Sequence, residues 1–147
     1  MEIERKYLVT KLPENLSTFP HRRIEQGYLS TEPVVRVRQD GDEYILTYKS
    51  KGLMVREEYN LPLTRDSYTH LIAKADGRII TKERYCIPLE DDLTIELDIF
   101  ENDLSPLILA EVEFPDEKSA QIFTPPEWFG EDVTFSTQYQ NSTLSRK

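Results

Sequence analysis

Apolar and polar residues alternate along most of this chain with a period of two, the pattern of β-strands that carry different chemistry on their two faces. The alternation predicts strands near residues 1–10, 23–30, 34–40, 43–50, 54–61, 78–88, 93–100 and 107–115. Turn chemistry separates them: Asp40-Gly41-Asp42 lies between two alternating runs as a hairpin signal, and Glu90-Asp91-Asp92 interrupts another pair. Two segments depart from the period. Residues 64–74 open on a capping Thr64 and repeat apolar residues at helical spacing, and residues 115–123 open on Pro-Asp-Glu, so both read as short helices. A third helix is expected at about 137–144, after a loop at 124–130 whose prolines and aromatics suit packing better than linkage. With no internal repeat, low-complexity tract or composition break, residues 1–147 read as a single mostly-β domain.

The polar face of these strands is unusual in being charged almost throughout. Residues i, i+2 and i+4 of a strand share a face, so Glu2, Glu4 and Lys6 point together while Ile3 and Tyr7 point the other way. The same spacing recurs at Arg36/Arg38, Lys49/Lys51, Arg56/Glu58, Lys82/Arg84, Glu96/Asp98 and Glu111/Glu113. A charged face turned to water accounts for any one such strand. It accounts less well for several strands that carry same-sign pairs, because a solvated face usually mixes signs to limit repulsion. If the sheet instead closes with this face inside, Lys6, Arg36, Arg38, Lys49, Arg56, Lys82 and Arg84 meet Glu2, Glu4, Glu58, Glu111 and Glu113 across one lumen. Each ion in a dry interior would cost several kcal/mol, roughly, so such a lumen must hold water, an anion and a cation.

Composition narrows the ligand. The net charge of −9 argues against nucleic acid, which needs a basic surface, but a local cluster drawn from the 18 basic residues can still hold a small polyanion. Converging Lys and Arg suit several phosphoryl groups, since guanidinium binds phosphate oxygens bidentately. Glu2, Glu4 and Glu113 offer oxygen-only ligands, which favour Mg²⁺ or Mn²⁺ over Zn²⁺. His21 and His70 fall outside the alternating motifs and read as surface or packing residues. No glycine-rich phosphate loop is present, which excludes a P-loop enzyme. Cys86, the one cysteine, reads as a free thiol within a strand. No stretch reaches membrane-spanning length and the first residues enter a charged strand directly, so the expected setting is cytoplasmic, without membrane contact.

The motifs together resemble the CYTH domain, or triphosphate tunnel metalloenzyme, family over nearly the whole chain. The resemblance rests on Glu2-Ile3-Glu4-Arg5-Lys6, Val35-Arg36-Val37-Arg38, Thr47-Tyr48-Lys49, Lys82-Glu83-Arg84-Tyr85 and Leu109-Ala110-Glu111-Val112-Glu113-Phe114, in that order. The closing stretch Trp128-Phe129-Gly130-Glu131-Asp132-Val133-Thr134 and then Tyr139-Gln140-Asn141 is similar too. It implies an eight-stranded antiparallel β-barrel forming a tunnel, with a few short flanking helices, and metal-dependent cleavage of a triphosphate. By that resemblance Glu2, Glu4 and Glu113 would bind metal, with Glu111 and Glu58 near a second metal or the attacking water. Lys6, Arg36, Arg38, Lys49, Arg56, Lys82 and Arg84 would hold phosphates; Glu58, Glu111 and Lys6 are the residues expected closest to the chemistry. Glu96 and Asp98 would orient basic side chains, and Lys51 would lie at the tunnel mouth. Asn60 departs from the pattern, standing where family members often carry a third charged residue.

Within that family the fold does not separate inorganic triphosphatase, nucleoside or thiamine triphosphatase and adenylate cyclase. The chain is short and its motifs hold no aromatic cluster for a purine, which favours hydrolysis of inorganic tripolyphosphate to pyrophosphate and phosphate, assisted by Mg²⁺ or Mn²⁺. Broad nucleoside triphosphatase activity is the near alternative and a class IV-type cyclase the next. A non-catalytic polyphosphate-binding module is a further alternative, but it gains nothing from Glu2, Glu4 and Glu113 beside its phosphates. A homodimer is compatible with the chain, although spacing alone singles out no apolar patch for it.

Overall fold

The computed structural model describes residues 1–146 and forms one antiparallel sheet of nine strands curled into a nearly closed barrel. In chain order these are β1 (Glu2–Leu8), β2 (His21–Thr31), β3 (Val34–Asp40), β4 (Glu43–Lys49), β5 (Val55–Arg56), β6 (Glu58–Pro62), β7 (Asp76–Pro88), β8 (Thr94–Phe100) and β9 (Ile108–Glu113). Their spatial order is β5-β1-β9-β8-β7-β2-β3-β4-β6. The expected eight strands become nine because the run anticipated at 54–61 divides at Glu57. Its first part pairs with β1, Arg56 opposite Glu2, and its second with β4, Glu58 opposite Lys49. One bent segment therefore bridges the two ends of the sheet, which is how the barrel nearly closes.

Three short α-helices flank the barrel: α1 (Arg65–Ile72), α2 (Glu117–Ile122) and α3 (Asn141–Leu144). The first is set by a reciprocal cap. Ser67 N donates to Thr64 Oγ1 at 3.1 Å while Thr64 N donates to Ser67 Oγ at 3.0 Å, satisfying two donors that a helix start leaves free. Asp116 caps α2 by accepting from Ser119 N at 2.7 Å. The third expected helix is realised as a single 3-10 turn at Thr137–Tyr139 followed by α3. The chain from α1 into β7 crosses β2 at Gly27, where a Cβ would sit 2.7 Å from Ala75 Cβ and 2.8 Å from Ile72 Cδ1; any larger residue would push it off the sheet.

Outside the barrel, Ile3, Ile87, Ile95, Leu97, Val112 and Phe114 form the core under α2 and the loop that carries Trp128 and Phe129. That loop is packed, as its composition suggests: Tyr7 and Phe129 rings lie 4.9 Å apart, and Trp128 meets Phe129 edge-on. The chain then runs along β1, with Gly130 N donating to Leu8 O and Val133 N to Lys6 O. His21 and His70 stay outside the charged rows: His21 stacks on Tyr85, and His70 lies in the last turn of α1.

Inside, the same strands change character along their length. Tyr28, Val34, Ile80, Phe100 and Leu109, with Leu8 beside them, fill one end of the lumen against Leu104, Leu107, Val133, Tyr139 and Leu144. The inward positions further along these strands are charged, and that half contains a cavity of about 370 Å³. Among the described residues no helix is long and apolar enough to cross a membrane.

Candidate active site

Strand register assembles the charged half. Glu2 faces Arg56, Glu4 faces Glu113, Lys6 faces Glu111 and Glu111 faces Glu96 across neighbouring strands; Arg84 faces Asp98, and Arg36 faces Thr47, which faces Asn60. Directly opposed residues share a face. The inferred inward row is therefore present, and Glu2, Glu4, Lys6, Arg36, Arg38, Lys49, Arg56, Glu58, Arg84, Glu96, Glu111 and Glu113 all line the cavity.

Lys82 is the one proposed phosphate ligand that does not line it. Its side chain is wholly buried, 2.7 Å from Asp98 Oδ2 and 5.2 Å from the centre of the Phe100 ring. Burial, with Arg84 and Arg38 nearby, lowers its ammonium to about 7 despite the pull of Asp98. Asp98 also receives Arg84 Nε at 2.7 Å and Nη2 at 2.8 Å, a bidentate grip that fixes the guanidinium plane at the cavity wall. Burial pushes the Asp98 carboxyl up, but Arg84 and Lys82 hold it below the ordinary carboxylate value. Orientation of cations by Asp98 is thus visible in the geometry, and Glu96 joins it at 3.1 Å from Arg84 Nη1.

On the opposite side Lys49 Nζ donates to Glu2 Oε2 at 2.8 Å and lies 3.5 Å from Glu58 Oε2, while Arg56 Nη2 is 3.4 Å from Glu2 Oε1. Lys6 Nζ donates to the Tyr139 carbonyl at 3.2 Å and stands 4.0 Å from Glu111 Oε1. Lys51 points elsewhere, pairing at the exposed surface with Glu32.

The carboxylates are unequally ionised. Burial, then Glu111 and Glu2, raises the Glu4 carboxyl well above its usual range, whereas Lys6, Arg84 and Lys82 outweigh burial at Glu111 and hold it well below. Glu113 is raised by burial and by Glu2, Glu58 and Glu96. A divalent cation fits this wall on two observations. One carboxylate oxygen each from Glu2, Glu58 and Glu113 lies within 4.8 Å of the others, and Glu2 Oε1 and Glu111 Oε1 are buried without a hydrogen-bond donor. Clustered, under-satisfied oxygens of this kind suit a hard cation. The geometric triad thus groups Glu58 with Glu2 and Glu113, while Glu4 and Glu111 adjoin it.

Arg22, Tyr28, Asp40 and Ser142 line the cavity without a site signal in the sequence, and Thr47, Gln140 and Asn141 stand there as members of the resemblance motifs to which no role attaches. Arg22 and Tyr28 belong to β2, whose inward row mixes Arg22, Ile24, Gln26 and Tyr28, so no same-sign pair marks it. Residues 140–142 reach the cavity from outside the barrel, which strand periodicity does not report.

Comparison with known proteins completes the description. The CYTH domain family model matches residues 1–146. An inorganic triphosphatase of Nitrosomonas europaea is 44% identical over 148 residues, covering 98% of this chain and 96% of the relative. Another, from Acetivibrio thermocellus, is 34% identical over 150 residues, covering 97% and 92%. The crystal structure of the inorganic triphosphatase NE1496 superimposes with a TM-score of 0.74 at 40% identity, covering 100% of this chain and 95% of that one.

Proposed function

The chain belongs to the CYTH domain family, and on that footing we propose that it hydrolyses inorganic tripolyphosphate to pyrophosphate and phosphate with the help of Mg²⁺ or Mn²⁺. One observation carries the reading furthest. Arg36 and Arg38, two buried arginines without an ion-pair partner among the described residues, line the same cavity as the Glu2–Glu58–Glu113 cluster, whose three carboxylates share only Lys49 and Arg56, so uncancelled positive charge and partly met negative charge face one space of about 370 Å³. A polyanion carrying a divalent cation satisfies both.

In this reading Arg36 and Arg38 hold phosphoryl oxygens first, and Lys6, Lys49, Arg56 and Arg84 join as the ligand draws them from their carboxylates. Lys82 acts from beneath, through Asp98 and Arg84. Burial, with Arg36 and Arg84 adjacent, lowers the Arg38 guanidinium to about 9, which leaves it charged at neutral pH. Phosphoryl transfer asks the protein chiefly for placement and charge stabilisation, and guanidinium groups fixed by strand register provide both. Glu2, Glu4, Glu58, Glu111 and Glu113 would hold the cation, which when bound neutralises phosphoryl oxygens and acidifies a water. Glu58, Glu111 and Lys6, which all line the cavity, would be the groups that hold or move a proton during hydrolysis. Residues 1–147 act as one domain in this reading, and the single unpaired Cys86 agrees with a cytoplasmic setting.

Phosphate release from tripolyphosphate, ATP and pyrophosphate, each with Mg²⁺, Mn²⁺ or EDTA, tests the proposal. Cation-dependent release that is fastest from tripolyphosphate is expected. Preference for ATP, cyclic AMP formation, or tight binding without turnover would each replace it with a different activity.

A further inference from the structure

The lumen holds its cations in two different ways. Lys6, Lys49, Arg56, Lys82 and Arg84 each stand within ion-pair distance of a carboxylate. Among the described residues Arg36 and Arg38 do not; their side-chain hydrogen bonds go to neutral partners. Arg38 Nε donates to Gln26 Oε1 at 2.9 Å, and Arg36 Nη2 donates to Thr47 Oγ1 at 3.4 Å.

The partner of Arg36 is itself constrained. Thr47 is buried, and its hydroxyl donates to Asn60 Oδ1 at 2.6 Å. A hydroxyl has one proton, so giving it to Asn60 leaves only lone pairs for Arg36. Asn60 Nδ2 in turn lies 3.5 Å from Glu58 Oε1. The reverse amide orientation would set its carbonyl oxygen against the Glu58 carboxylate, so the order of donors along this row is determined by chemistry. The row follows register: Arg36, Thr47 and Asn60 lie directly opposite one another on β3, β4 and β6.

We propose that Thr47 and Asn60 are positioning residues, which aim the Arg36 guanidinium at a phosphate while leaving its charge uncancelled. A carboxylate at position 60 could accept from Thr47 equally well, but it would add negative charge to the row and compete with the anion for Arg36. The neutral amide supplies the geometry without the competition. It also ties the aim of Arg36 to Glu58, a member of the acidic cluster, through a row of polar contacts. The inference rests on the reading of the cavity as a triphosphate site, but not on turnover there.

The test is a binding cycle on the full chain, titrating tripolyphosphate calorimetrically in EDTA and again with Mg²⁺. Thr47→Val keeps the shape and removes the hydroxyl; it should weaken binding about tenfold, the scale of a hydrogen bond to a charged group. Thr47→Ser should restore affinity, and in steady state Thr47→Val should raise KM more than it lowers kcat. In an Arg36→Ala background, Thr47→Val should have no further effect, because its action passes through Arg36. Asn60 is exposed, so Asn60→Ala and Asn60→Asp test the row even if Thr47→Val folds poorly; both should weaken binding, the aspartate more. Wild-type affinity in Thr47→Val or in both Asn60 variants, or an undiminished loss in the Arg36→Ala background, would overturn the inference. A wild-type protein that binds tripolyphosphate and never releases phosphate would refute the hydrolase reading while the cycle still decided this one.

Discussion

The two halves of the barrel lumen are built on the same strands and the same inward rows, yet they have opposite chemistry. On β3 the row runs Val34, Arg36, Arg38; on β7, Ile80, Lys82, Arg84; on β8, Phe100, Asp98, Glu96; on β9, Leu109, Glu111, Glu113. A single step of two residues carries each strand from the apolar half, packed against the C-terminal segment, to the charged half around the cavity. Facing inward therefore does not decide polarity in this fold. Access to water and ligand does, because burial stabilises an apolar side chain by about 1.5–3 kcal/mol and costs a lone ion several. The Lys82–Asp98–Arg84 group stands at the boundary, where the charges are still present but the water is gone.

The largest expected effect lies at that boundary. Asp98→Asn removes the carboxylate shared by Arg84 and Lys82, leaving a buried guanidinium largely uncompensated and driving Lys82 towards its neutral amine, and should lower stability by about 3–5 kcal/mol at neutral pH, read by urea denaturation. The folded Asp98 carboxyl lies below the ordinary aspartate value of 3.8, so its contribution is present above that pH and disappears as pH falls through the folded value. The gap between wild type and variant should therefore close in acid, and a gap that stays constant would contradict the assignment.

Leu109→Ala cuts the apolar half and should cost about 3 kcal/mol in the same denaturation, while the protein that remains folded still binds tripolyphosphate. Arg38→Met reverses the pattern. It should reduce turnover by about 100-fold or more, whereas the melting temperature without ligand stays level or rises, because burial and two neighbouring arginines already disfavour this charge. Loss of both stability and activity in Arg38→Met would erase the distinction between the halves.

A smaller effect should appear in cation affinity. Glu4 holds its proton well above the ordinary carboxylate range, chiefly through burial and the nearby Glu111, so a cation must displace that proton. Mn²⁺ affinity measured by calorimetry should rise with pH by up to about tenfold per unit, and the slope should flatten in Glu4→Gln. An unchanged slope would place the displaced proton elsewhere.

The same contrast explains what could be read from the sequence. Charged pairs at a spacing of two named eleven of the cavity's acids and bases together with Glu96, because same-sign repetition is improbable on a solvated face. Lys82 obeys the same spacing but sits one step closer to the apolar half, so it is sealed beneath the cavity; periodicity reports the face and not the depth. The apolar half went unread for a similar reason. Leu8, Val34, Ile80, Phe100 and Leu109 lie at the ends of rows whose other members are charged, and nothing local distinguishes them from strand-end packing. Division of the 54–61 run into β5 and β6 reflects closure of the whole barrel, a tertiary event without a local signal. The Thr47–Asn60 contact arises likewise from pairing across strands.

The most direct test of the charged half as a triphosphate site is a crystal structure with Mn²⁺ and a non-hydrolysable imido analogue of tripolyphosphate, using the anomalous signal of manganese. The expected result is a manganese peak against Glu2, Glu58 and Glu113, with the analogue's phosphoryl oxygens on Arg36 and Arg38 and the apolar half unchanged. Manganese and analogue bound elsewhere, or a lumen still occupied only by its own ion pairs at saturating ligand, would contradict it.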